Sequence, residues 1–158
     1  MEGGFEFHTV RGYQLLNQGN RLLTPAMEDY LEMIYRNIQK DGYMRINTLS
    51  EFLNVKPSSS TKMVQNLTQL GFVDYKKYGI IFLTEKGALI GKFLLERHNI
   101  IERFLTLIGV SEDTLVETEL IEHNISINTT KNINALNEFL SQNPDIIKKF
   151  EHFKSAFI

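Results

Sequence analysis

Between Thr24 and Leu83 the spacing of apolar residues changes period once, and that change constrains the fold more than any other feature of the chain. Thr24 and Pro25 suit a helix start, the first as a cap and the second because its missing N–H would be unpaired there anyway. Met27, Tyr30, Leu31, Ile34, Tyr35 and Ile38 then form a stripe at helical spacing, ended by Asp41-Gly42. A short helix is predicted near 47–53, with Leu49, Phe52 and Leu53 inward. Val55-Lys56-Pro57 interrupts it, and Ser58 or Ser59 restarts a helix to about Leu70 with Met63, Leu67 and Leu70 toward the core. Gly71 is placed to close that helix in the left-handed conformation. Two short apolar runs follow, 72–75 and 80–83, around Lys76-Lys77-Tyr78-Gly79, the pattern of a β-hairpin with a basic, aromatic tip. Helix, helix, tight turn, helix and hairpin is the order of a winged helix-turn-helix.

From Thr84 onward the pattern is helical only. Helices are predicted at 84–108, from a Ser111-Glu112-Asp113 cap to about 125, at 130–141, and at 144–157 with Asn143 as cap and Pro144 in the first turn. The expected fold class is mainly α: an N-terminal winged helix-turn-helix with a small β-hairpin wing, followed by an all-helical domain. Residues 1–22 read as an N-terminal extension, 23–93 as the winged domain and 94–158 as the helical one.

Charge follows the same division. The 158 residues carry a formal charge of only −2. Yet residues 44–97 hold eight Lys/Arg against four Asp/Glu, and residues 98–127 hold one against six. Such asymmetry suits a polyanion for the first segment and cations for the second. The absence of cysteine excludes disulfides, thiolate-ligated metal and thiol catalysis. No apolar run approaches the ~18 residues of a membrane span. Met1–Phe7 carries acid and glycine where a secretory signal is basic, so a cytoplasmic protein is expected.

Two constellations carry chemistry. Ser58, Ser59, Ser60, Thr61, Lys62 and Gln65 open the third helix, where hydroxyls and backbone N–H groups favour phosphate oxygens. Lys62 and Gln65 share a face; lysine donates to guanine or phosphate, and glutamine pairs with adenine. The hairpin tip of Lys76, Lys77 and Tyr78 suits phosphate or minor-groove contact with double-stranded DNA. The second constellation is acidic. Glu119, Glu122 and His123 lie at i, i+3 and i+4 on one helical face, Asp29 and Glu32 flank the apolar stripe of the first helix, and His98 follows the basic segment. Four carboxylates and two imidazoles without sulfur suit manganese(II) or ferrous iron, although raw affinity would favour zinc or copper.

Together these residues resemble the manganese-responsive branch of the diphtheria-toxin-repressor family of metal-dependent repressors. The resemblance covers about residues 24–142. It rests on Thr24-Pro25-x-Met27-Glu28-Asp29-Tyr30-x-Glu32, Pro57-Ser58-Ser59-x-Thr61-Lys62-Met63-Val64-Gln65, Arg97-His98, Ile108-Gly109-Val110 and Glu119-x-Ile121-Glu122-His123. It implies Asp29, Glu32, His98, Glu119, Glu122 and His123 as metal ligands and a homodimer formed by residues after about 90. It further implies operator DNA as partner, with the metal as co-repressor and no enzymatic activity. The iron-responsive branch has methionine and cysteine where this chain has Asp29 and Glu119, so the resemblance favours Mn2+, with Fe2+ as the second metal. Two other functions stand beside it: a winged-helix regulator of an organic ligand, and a di-metal carboxylate oxidoreductase. Sites of the latter kind typically use two Glu-x-x-His pairs, and this chain has none.

Overall fold

The structure, a computed structural model, describes residues 23–158; the extension expected at 1–22 lies outside them. The chain divides into two units, one ending at Leu95 and one spanning Glu96–Ile158. The boundary falls inside a single long helix. No helix among the described residues is long and apolar enough to cross a membrane.

The first unit holds α1 (Pro25–Ile38), β1 (Met44–Arg45), α2 (Ile46–Phe52), α3 (Pro57–Gln69), β2 (Val73–Lys76), β3 (Ile80–Leu83) and the start of α4 (Glu85–Leu107). Thr24 caps α1, its hydroxyl accepting from the Met27 N–H at 3.3 Å. The strands form an antiparallel sheet in the order β1-β3-β2, with Val73 opposite Leu83 and both Arg45 and Lys76 opposite Ile80. Leu31 and Ile34 from α1, Leu49 from α2, Val64 and Leu67 from α3, Phe72, Ile81 from β3, and Ile90 and Leu94 from α4 are fully buried together. Small residues let α4 approach closely. A Cβ on Gly87 would land on the Phe72 carbonyl oxygen, and one on Gly91 would strike the Tyr35 ring. The Thr84 hydroxyl ties the wing to α4, donating to the Gly71 and Phe72 carbonyls and accepting from the Gly87 N–H at 3.0 Å.

Local details depart from the sequence reading. Strand β1 was not foreseen. Phe52, the last residue of α2, is 53% exposed rather than inward. Pro57, not a serine, is the first residue of α3, and Val64 with Leu67 fills the core while Met63 and Leu70 are only half-buried.

The second unit holds the end of α4, α5 (Thr114–Glu122), α6 (Ile127–Gln142) and α7 (Pro144–Phe157). Gly109, at φ 85°, ends α4 in the left-handed conformation, and Lys154 from α7 donates to the Ile108 carbonyl at 3.1 Å. A cation suits a helix C-terminus. Asp113 precedes α5 with a left-handed backbone and makes no side-chain cap, since capping needs an extended residue. The helix stops at Glu122, with His123 as its C-cap, short of the expected 125. Ser126 caps α6, which begins three residues earlier than expected. Asn143 precedes α7, but its amide donates back to the Phe139 carbonyl at 2.7 Å, so it closes α6 instead of capping α7.

Candidate nucleic-acid and metal sites

The first turns of α3 expose Ser58 and Ser59, then Lys62 and, one turn on, Gln65. Thr61 is half-buried, and its hydroxyl donates to the Pro57 carbonyl. Ser60 corrects the sequence expectation. It is fully buried, its hydroxyl 3.4 Å from the Tyr30 hydroxyl, and so it fastens α3 to α1 instead of facing DNA. The helical period held the warning: Ser60, Val64 and Leu67 fall on one face. In the wing, Lys76 and Lys77 are exposed, with Lys76 paired to Asp74 at 2.8 Å. Tyr78 is 90% exposed at φ 65°, a conformation that costs a bulky residue free energy. Gly79 beside it lies so close to Ile46 that a Cβ would strike that side chain, which pins the wing tip against the start of α2.

In α1, Asp29 and Glu32 stand three residues apart. Glu32 is buried and Asp29 half-buried. The Arg36 guanidinium donates to Glu32 Oε1 at 2.6 Å, an i,i+4 pair that orients the carboxylate.

The second unit brings four of the predicted residues together. His98, 3% exposed on α4, lies with its Nδ1 3.1 Å from Glu122 Oε2 and 3.8 Å from Glu119 Oε1. An ionised carboxylate only accepts, so this His98 nitrogen donates. His123 Nε2 lies 3.7 Å from Glu122 Oε1 and 4.0 Å from Glu119 Oε2. Ligand atoms of Glu119, Glu122 and His123 all fall within 4.8 Å of one another. The spacing of these three follows from their place on the last turn of α5. On the far side of the His123 ring, Arg97 Nη2 donates to Nδ1 at 3.3 Å. Arg97 is buried, and composition and spacing alone gave it no role at the site.

Glu122 tests whether these residues fit a divalent cation. Its side chain is wholly buried, and Oε1 has no hydrogen-bond partner among the described residues. A buried carboxylate oxygen in that condition is costly unless a charge or donor compensates it. Oxygen and imidazole donors around it match a hard to borderline divalent ion. The donor set fits.

Comparisons with known proteins identify the family. Residues 22–81 match the family described as iron dependent repressor, N-terminal DNA binding domain, and residues 84–151 match iron dependent repressor, metal binding and dimerisation domain. The HTH-type transcriptional regulator MntR of Lysinibacillus sphaericus is 45% identical over 84% of this chain and 96% of its own length. MntR of Listeria monocytogenes is 44% identical over 84% of this chain and 94% of its own. Among solved structures, the manganese regulator SloR aligns with TM-score 0.65 and 26% identity over 74% of this chain. IdeR of T. acidophilum aligns with TM-score 0.60 and 26% identity over 67% of this chain. The chain spans about half the length of each of these two, 55% and 51%. A DNA-binding winged unit, an acidic helical unit and relatives matched along nearly their whole length leave a transcriptional repressor rather than an enzyme, and the chain belongs to the MntR branch of the diphtheria-toxin, or iron-dependent, repressor family.

Proposed function

We propose that the chain is a cytoplasmic, manganese(II)-responsive repressor that binds operator DNA as a homodimer and controls metal-ion transport genes. Its ligands are Asp29 and Glu32 from the first unit and His98, Glu119, Glu122 and His123 from the second. The observation that carries the reading is Glu122, buried with one oxygen against His98 and the other without a hydrogen-bond partner among the described residues. When bound, manganese(II) supplies the positive charge and coordination bonds that this carboxylate lacks.

The chain's own residues do the rest. Without compensation the carboxylates repel one another, and ligands drawn from both units link the state of the reader to that of the helical unit. Ordering the two units before DNA arrives lowers the conformational cost of binding it. A coupling of this kind is typically about 5–150-fold in affinity, and it is reciprocal, so DNA tightens metal binding by the same factor. On the DNA side, Lys62 and Gln65 read base edges, while Ser58, Ser59, Thr61, Lys76, Lys77 and Tyr78 position the backbone.

Titrating manganese(II), ferrous iron, zinc(II) and magnesium(II) separately, while following anisotropy of a labelled duplex selected in vitro, tests the reading. Manganese is expected to tighten duplex binding at the lowest free concentration compatible with cellular levels. No response to any of the four metals would overturn it.

A further inference from the structure

His98 and His123 meet their neighbours differently, and at His123 the cause is Arg97. A guanidinium has donors only, so the Arg97–His123 hydrogen bond of 3.3 Å uses a lone pair on His123 Nδ1. A neutral imidazole has one such lone pair. Its proton then sits on Nε2, the nitrogen that faces Glu122 Oε1 at 3.7 Å and Glu119 Oε2 at 4.0 Å. A cation among those carboxylates needs that same Nε2 with its lone pair free. Moving the proton to Nδ1 would set an N–H donor against the Arg97 donors. If the cation took Nδ1 instead, it would displace Arg97 directly. The conclusion survives exchange of the two ring nitrogens, because either nitrogen facing Arg97 must accept. His98 is the contrast: its Nδ1 faces the Glu122 carboxylate and so donates, where His123 Nδ1 faces a guanidinium and must accept.

We propose that Arg97 is an internal competitor of the metal, a latch that occupies His123 in the metal-free protein and must let go before His123 ligates. The latch raises the concentration of metal at which the repressor loads, while its charge offsets the carboxylates of the empty state. Arg97 is a positioning residue acting through His123, and the inference rests on His123 being a ligand. Burial keeps the latch from dissolving into solvent, since Arg97 is 7% exposed and the His123 side chain only 12%.

The test is a double-mutant cycle on the DNA-free protein, with manganese(II) alone as probe and free metal read by electron paramagnetic resonance. His123→Ala is expected to weaken binding. Arg97→Met is expected to bind about tenfold tighter than wild type, the lower end of what a hydrogen bond to a charged group is worth. In the His123→Ala background, Arg97→Met should give no comparable gain. A gain of equal size there would show general charge repulsion and overturn the latch, as would unchanged or weaker binding in Arg97→Met alone. Unchanged affinity in His123→Ala would instead remove the ligand assignment on which the latch depends. Thermal unfolding by circular dichroism, without metal, reports whether Arg97→Met folds. Arg97→Gln serves as the second variant, because its amide can turn to meet either tautomer, and it too should bind manganese more tightly.

Discussion

Among the described residues, the large side chains fully buried in the first unit are all apolar, from Leu31 and Ile34 to Ile90 and Leu94; in the second unit Glu122 and Asn137 are as deeply buried as Ile101. The surfaces differ in grouping: the first unit's side chains exposed beyond half, Phe52 and Tyr78, stand apart in the sequence. The second unit exposes Leu115, Val116 and Leu120 on α5 and Phe153 and Phe157 on α7, each more than half exposed. The first unit thus completes a core of its own, as a reading head requires. The second sets a wholly buried carboxylate beneath runs of exposed apolar side chains, an arrangement that calls for a cation within and another copy of the chain without. It belongs to a family domain described by those two properties, metal binding and dimerisation.

Mutations can break or sharpen that contrast. The largest effect is expected from Glu122→Ala, which should weaken manganese(II) binding by more than about 100-fold, beyond what outer partners of a ligand are worth. Calorimetry on the DNA-free protein measures it, and circular dichroism should show the helices intact. In the reader, Gly87→Val forces α4 off the Phe72 carbonyl and should cost about 3 kcal/mol by denaturant unfolding. The loss should be the same with and without metal. Lys62→Ala should weaken duplex binding by about tenfold, near the worth of one good base contact, and leave metal affinity without DNA unchanged. Smallest is Lys154→Met, which removes the cation from the end of α4 and should cost about 0.5–1 kcal/mol of thermal stability.

The sequence made the order of elements legible because caps, prolines and glycines punctuate strong periods. Thr24-Pro25, Gly71 and Gly109 each stand at the helix boundary their chemistry predicts. It was less informative where one short run allows two phases. Ser58, Ser59 and Ser60 are the same residue three times, and only the packing of Val64 and Leu67 decides that the third turns inward. Two-residue β1 is too short to alternate, so nothing in Met44-Arg45 announces a strand. For the candidate metal site, residue type and i, i+3, i+4 spacing put Glu119, Glu122 and His123 on one helical face, and the resemblance proposed them as ligands. They could not reveal that Arg97 lies against His123, because a contact between α4 and the end of α5 depends on tertiary packing.

The central claim is that ligands from both units act on one metal response, and Asp29 is its most exposed point. Anisotropy of the selected duplex should be followed with and without manganese(II) in wild type, Asp29→Ala and Glu119→Ala. The account predicts a stimulation within the 5–150-fold range in wild type and its loss in both variants. Full stimulation in Asp29→Ala, with loss only in Glu119→Ala, would contradict it by confining the metal response to the helical unit.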